Sequence, residues 1–237
     1  MTMQKYVLPV VAALGVVTVV SVGHAQKQPP PTVQPPNPGV PQIMTLQDHY
    51  TRAAYNNDAY AIMSYKVAQY SLGEEYLMLD LGMCMMERTS PSKLKREDIT
   101  LTLPDNSTLP LPTIAEYRQF EGKVQALQAR WKVQKESINY FPPWINGANR
   151  LGFFADMGQT AMPWDEVEVS NQRACLGQLY FHVPGGIKYG QHWLNIKFTT
   201  GPIRVPFKIL TKDEEKLMSK YYSNIKKQID AAFKKKK

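Results

Sequence analysis

Cysteine is scarce in this chain, which has only two among its 237 residues, Cys84 and Cys175. So low a count excludes a small scaffold held together by many disulfides. The four histidines occur at none of the spacings typical of zinc sites, and the sequence contains no P-loop, GxGxxG or GxSxG motif. We therefore expect neither an enzyme nor a bound cofactor or metal.

The overall composition is that of a folded protein with a moderate positive charge. Hydrophobic residues make up 43% of the chain and charged residues 20%, and the formal net charge is +8. These values exclude a collagen-like chain, a fully disordered chain and a polytopic membrane protein. The length suits one or two domains with one sizeable core.

The N-terminus resembles an export signal. Residues 6–22 form an apolar run without a charge, preceded by Lys5 and followed by Gly23 and Ala25. A positive start, an apolar middle and small residues at the −3 and −1 positions predict a signal peptide over 1–25, cleaved after Ala25. The alternative is an uncleaved N-terminal anchor, since the run is nearly long enough to span a bilayer. Either interpretation predicts an exported protein, periplasmic or extracellular.

A proline-rich segment follows the leader. Residues 26–42 contain seven prolines, which fix φ and lack an N–H, so this stretch is predicted to be an extended linker. The folded domain is predicted over 43–211. Within its first half we predict a short helix from Thr45 to the Asn-Asn-Asp stop at 56–58, strands over 59–72 and 75–87, and a hairpin over 98–111.

The second half combines one amphipathic helix with several short strands. Thr113 and Glu116 form a capping box, and apolar residues then recur at helical spacing, which predicts a helix over 114–137. Alternating apolar residues and Gly/Pro turns predict strands over 166–169, 178–183, 193–198 and 203–210. Several short strands separated by such turns indicate a mainly β fold, an antiparallel β-sandwich.

Two segments add a resemblance to this pattern. The sequences REDITLTLPDNSTLPL (96–111) and LYFHVPGGI…WLNIKF…RVPFKI (179–209) resemble uncharacterised secreted bacterial domains with an immunoglobulin-like fold. The resemblance covers about half of the chain and carries no catalytic residue. It implies an immunoglobulin-like sandwich, into which the 114–137 helix is inserted, and an extracytoplasmic location.

The two cysteines allow different interpretations. Cys84 and Cys175 both lie in or near predicted strands, and in an oxidising compartment they are candidates for a disulfide across the sheets. Two separate buried thiols are the alternative. The run Met83-Cys84-Met85-Met86 also suggests Cu(I), but neighbours in a strand point to opposite faces, so a methionine-rich packed strand is favoured.

Other candidate positions lie in two loops. Tyr140, Phe141 and Trp144 form an aromatic-and-proline loop, which is typical either of a contact surface or of a cap over the core. Asp165, Glu166 and Glu168 form an acidic group. It could supply a carboxylate pair for acid/base chemistry, but the favoured interpretation is a solvated loop face.

The C-terminus is a basic amphipathic helix, predicted over 212–233. Residues 212–237 contain nine lysines and four acids, a net charge of +5. The lysines singled out as interaction candidates are Lys226, Lys227, Lys234 and Lys235. Such a helix suits another envelope or membrane protein or an anionic membrane surface, whereas nucleic acid is not expected. The alternative is a surface helix that packs on the sandwich and ends in a frayed lysine run. The sequence thus predicts an exported non-enzymatic binding or assembly module; the alternatives are an exported enzyme with a site formed only in the fold, and a copper-binding protein using Cys84 and methionines.

Overall fold

The computed structural model describes residues 42–45, 50–155, 162–199 and 201–234. These residues are mainly β, as predicted, with a smaller helical part. The strands are β1 (Gln42–Thr45), β2 (Thr51–Tyr55), β3 (Ala59–Ser64), β4 (Tyr76–Met85), β5 (Ser92–Lys95), β6 (Ile99–Thr102), β7 (Thr108–Pro110), β8 (Gly147–Arg150), β9 (Glu166–Val169), β10 (Arg173–His182), β11 (Gly190–Phe198) and β12 (Gly201–Ile209). The helices are α1 (Lys66–Gln69), α2 (Ile114–Gln119), α3 (Glu121–Gln134) and α4 (Lys212–Lys234).

The described strands form three sheets. A six-stranded sheet has the order β1-β2-β3-β4-β10-β8, a four-stranded sheet has the order β12-β11-β6-β7, and β5 pairs with β9. The pairing is antiparallel except between β8 and β10. The prediction of a mainly β fold with antiparallel sheets is therefore confirmed.

The two larger sheets share one hydrophobic core. Leu79 and Leu81 of β4 belong to the same buried cluster as Leu194 and Ile196 of β11. Because side chains alternate along a strand, Asp80 points to the opposite face of the six-stranded sheet from Leu79 and Leu81. That second face is the one on which α3 lies, since Trp131 donates a hydrogen bond to Asp80.

The segment between 45 and 58 corrects the sequence prediction. Thr45 lies in β1, residues 46–48 of the predicted helix start lie outside the described residues, and Thr51–Tyr55 is a strand rather than a helix. Asn56 explains the difference, because its Oδ1 accepts hydrogen bonds from the N–H groups of Asp58 and Ala59. The expected stop signal is thus the turn of a β-hairpin, and strand pairing overrides the local helical spacing.

Two further predictions need correction. The predicted strand over 59–72 ends at Ser64 and is followed by the single turn α1. The predicted helix over 114–137 is two helices, with Phe120 (φ −110°, ψ 13°) between them. The Phe120 ring packs 4.7 Å from that of Tyr76, so burial of this one aromatic side chain accompanies the break.

One edge of the four-stranded sheet is formed by β12, which pairs with β11 only. Pro202 and Pro206 lie in this strand, with Arg204 and Lys208 at the alternate positions between and after them. Proline cannot donate a ladder hydrogen bond, so these prolines have to face the open edge. The edge therefore lacks two of its N–H donors, and Arg204 and Lys208 lie on the exposed face of the same strand.

Candidate functional site

Helix α4 begins with a complete capping box. Thr211 Oγ1 accepts a hydrogen bond from the Glu214 N–H, and Glu214 Oε2 accepts one from the Thr211 N–H at 3.0 Å. Glu214 also forms an ion pair with Lys208 of β12, and the hydrogen bond from Lys208 lowers the pKa of Glu214. The predicted start of the helix is thereby tied to the end of the four-stranded sheet.

The first turn of α4 is fastened to the body by hydrogen bonds. Glu215 accepts hydrogen bonds from the hydroxyls of Tyr50 and Tyr70, the latter at 2.9 Å. Two residues before the helix start, Leu210 pairs with the buried Gln69 side chain, which donates to its carbonyl and accepts from its N–H, both at 2.8 Å. Glu214 and Glu215 are therefore engaged by the body, whereas Asp213, the third acid of the first turn, is 97% exposed.

Beyond that turn, α4 presents apolar side chains to solvent. Leu217 is 68% exposed and Tyr221, one turn later, is 60% exposed. Among the predicted interaction lysines, the Lys227 side chain is exposed, Lys226 and Lys234 belong to the helix, and Lys235 lies outside the described residues. A helix that combines exposed apolar residues with this many lysines has the composition of a docking element.

The aromatic loop predicted as a contact surface packs largely inward. Tyr140 and Phe141 are half-buried against a second apolar cluster that includes Tyr60 and Cys84. Tyr60 donates its hydroxyl hydrogen to the Tyr140 carbonyl at 2.8 Å. Trp144 is also half-buried. Of the two alternatives for this loop, the packing favours the cap over the core.

The two cysteines are free and buried, so the disulfide candidate is wrong. Cys175 lies opposite Met83 in the β4–β10 register, whereas Cys84 lies opposite Tyr60 in the β3–β4 register. Consecutive residues of a strand face opposite ways, so Cys84 and Cys175 lie on opposite faces of the six-stranded sheet. Burial raises the pKa of both thiols to about 12.

The acidic group after residue 164 is paired with basic side chains. Asp165 forms an ion pair with Arg96 at 3.1 Å, and Glu166 forms one with Lys93 at 2.9 Å across the β5–β9 pair. Glu168 is exposed on the same strand. The three carboxylates thus lie on the surface of a two-stranded sheet and do not converge on a common point.

A cleft that the sequence analysis missed lies between α3 and the strands β8 and β10. Its volume is about 890 Å³. We call it the polar cleft, and its polar lining includes Asp80, Gln128, Trp131, Lys135, Arg150 and Gln178. The available signal was a single charged residue, Asp80, within the otherwise apolar run of β4.

Asp80 is the buried charge of this cleft. The residue is only 8% exposed, and its two oxygens accept hydrogen bonds from Trp131 Nε1 at 3.0 Å and Gln178 Nε2 at 3.3 Å. Burial raises the pKa of Asp80 to about 6, against the opposing effects of these two donors and of nearby Lys135. Perturbed carboxyl groups of this kind are concentrated at binding and catalytic sites.

Comparison with known proteins gives no family for this chain: no family model, curated protein or solved structure matches it. Within the described ranges, no three His, Cys, Asp or Glu residues are grouped as metal ligands would be. None of the helices in the described part of the chain has the length and hydropathy that crossing a bilayer requires.

Proposed function

We propose that this chain is an exported, non-enzymatic binding module that attaches to an anionic membrane surface through α4. In this proposal the sheets form an immunoglobulin-like β-sandwich with α2 and α3 as its insertion, and the sandwich holds α4 at a fixed position. Export rests on the signal-like run at 6–22, and the proline-rich segment acts as a spacer of about 3.1 Å per residue.

The observation that carries the proposal is the exposure of Leu217 and Tyr221 on a lysine-rich helix. Complete burial of one leucine-sized side chain is favourable by roughly 1.5–3 kcal/mol. Each lysine near an anionic bilayer adds about 1 kcal/mol. The sum is ample for reversible attachment, because residues 216–237 contain eight lysines and the single acid Asp230.

The distribution of charge favours lipid over a protein partner. Glu214 is ion-paired with Lys208 and Glu215 is held by two tyrosine hydroxyls, so these two acids lie against the body at the N-terminal end of the helix, away from the lysines of its second half. An exposed tyrosine beside leucine and lysine is typical of helices that lie in the headgroup region. A second envelope protein with an acidic groove is the competing occupant of the same helix.

Vesicle sedimentation of the chain tests this proposal. Vesicles of phosphatidylcholine are compared with vesicles in which one lipid in four is phosphatidylglycerol. We expect binding to the anionic vesicles, weakened by salt, and a loss of at least about tenfold for the double variant Leu217→Ser and Tyr221→Ser. Val133→Ser is the matched control, because Val133 is 86% exposed on α3 and should not matter.

The opposite results would overturn the lipid assignment. If the chain binds neither kind of vesicle, α4 is not a membrane element. The same conclusion follows if the double variant and the Val133→Ser control sediment with anionic vesicles to the same extent. If cross-linking in intact cells captures one protein through α4 while vesicles remain unbound, the protein partner takes its place. Turnover of a substrate by the purified chain would contradict the non-enzymatic assignment.

A further inference from the structure

We propose that the polar cleft binds an acidic oligosaccharide, a ligand that the membrane attachment of α4 does not require. The cleft volume of about 890 Å³ lies within the usual range of small-molecule sites, roughly 300–1,000 Å³. Helix, sheet and loop contribute to its lining, so its walls are set by the packing of α3 on β4 and β10 rather than by a surface loop alone.

The floor of the cleft is built for hydroxyl groups. Each oxygen of Asp80 accepts one hydrogen bond from the protein, and a carboxylate oxygen has room for a second. Gln128 and Gln178 carry amides, which both donate and accept, and Gln128 Nε2 donates to the Tyr180 hydroxyl at 3.1 Å. These polar groups stand beside apolar side chains of the lining such as Leu151, Phe154 and Leu176, a mixture that matches the hydroxyl groups and the apolar faces of sugar rings.

The walls of the cleft are positively charged. Lys132 and Lys135 lie on the α3 side, and Arg150 lies on the β8 side, where its Nη2 donates to the Phe154 carbonyl at 2.7 Å and so fixes the guanidinium. The carboxylate of Glu136 is neutralised by Lys66 at 2.8 Å. The lining charges thus sum to an excess of positive charge, which favours a ligand carrying carboxylate or sulfate groups.

Two other ligand classes fit the lining less well. A cationic ligand would seek the Trp131 ring, but the Lys135 ammonium already lies 5.2 Å from its centroid and would repel a second cation. A lipid tail would have to cover Asp80, and burying a carboxylate under hydrocarbon without further hydrogen bonds is costly. An acidic sugar satisfies both the floor and the walls.

Titration calorimetry with a trimer of galacturonic acid tests the site, with the neutral galactose trimer as the companion ligand. We expect the acidic trimer to bind and the neutral trimer to bind at least tenfold more weakly. Lys132→Gln with Lys135→Gln should weaken the acidic trimer about tenfold or more. Lys123→Gln is the control, because Lys123 is exposed on the same helix but does not line the cleft.

Each remaining outcome decides against the site. Absence of binding by the acidic trimer, preference for the neutral trimer, or equal affinity of the cleft and control variants for the acidic trimer would overturn it. Thermal unfolding of every variant checks that the fold is intact, and Gln178→Leu provides a second variant with an unchanged charge. The α4 double variant should bind the trimer normally, so failure of the membrane proposal and failure of the cleft are distinguishable.

Discussion

Replacing Asp80 by asparagine should change how the stability of this protein depends on pH. Asp80 is buried beneath α3, and burial raises the pKa of its carboxyl from 3.8 to about 6 in the folded protein. Asparagine has nearly the same shape and keeps an oxygen that can accept the hydrogen bond from Trp131 Nε1. The substitution therefore removes the titration while leaving the packing largely unchanged.

The sign of the effect follows from proton binding. Between pH 3.8 and about 6, the folded chain holds a proton on Asp80 that the unfolded chain has lost. The free energy of unfolding contributed by this group therefore falls as the pH rises through that window. The pKa difference corresponds to roughly 3 kcal/mol, so the stability of Asp80→Asn relative to the wild type should rise by about that amount across the window.

Urea unfolding followed by tryptophan fluorescence, from about pH 4 to about pH 7.5, measures this difference directly. Other carboxyl groups titrate in both proteins and cancel in the comparison. Asp213→Asn is the matched control, because that side chain is 97% exposed, and its stability should run parallel to that of the wild type. A difference between Asp80→Asn and wild type that stays constant with pH would refute the reasoning.

Two further predictions concern packing and the thiols. Gly82→Ala should destabilise the protein by about 1–3 kcal/mol, because the new Cβ would lie 2.5 Å from a ring carbon of Phe141. In α3, the Cβ of Gly122→Ala would meet no atom within 4 Å, so this variant should stabilise the protein by about 0.5–1 kcal/mol. Equal unfolding midpoints for the two variants would contradict this. Because Cys84 and Cys175 are free and buried, thiol titration without reductant should find both unreactive in the native protein and both reactive in denaturant. A count of zero reactive thiols in denaturant would indicate a disulfide instead.

The features that could be predicted are those that a few neighbouring residues determine. The hairpin of β6 and β7 is one case: its turn contains Asn106 at a φ of 66°, and Asp105 Oδ1 accepts a hydrogen bond from the Ser107 N–H. The capping boxes at Thr113 and Thr211 are likewise contained within four residues. Such patterns form wherever the rest of the chain lies, so the sequence alone indicates them.

The features that could not be predicted depend on contacts between distant segments. Trp131 belongs to the apolar residues at helical spacing that predict the helix over 114–137, but its hydrogen bond to Asp80 joins residues 51 positions apart. The Thr51–Tyr55 segment is short enough to fit the spacing of a helix or of a strand. Its pairing with β1 on one side and β3 on the other makes it a strand. The polar cleft forms only when α3, β4, β8 and β10 are packed together. Apart from the charge of Asp80 within an apolar strand, no local sequence pattern predicts it.

The prolines of β12 restrict how copies of this protein can associate. Pro202 and Pro206 leave gaps in the row of donors along that border, so a neighbouring molecule cannot extend the sheet there strand by strand. Growth of one continuous sheet from this side is therefore disfavoured. Contacts made through this side would depend on side chains more than on backbone pairing.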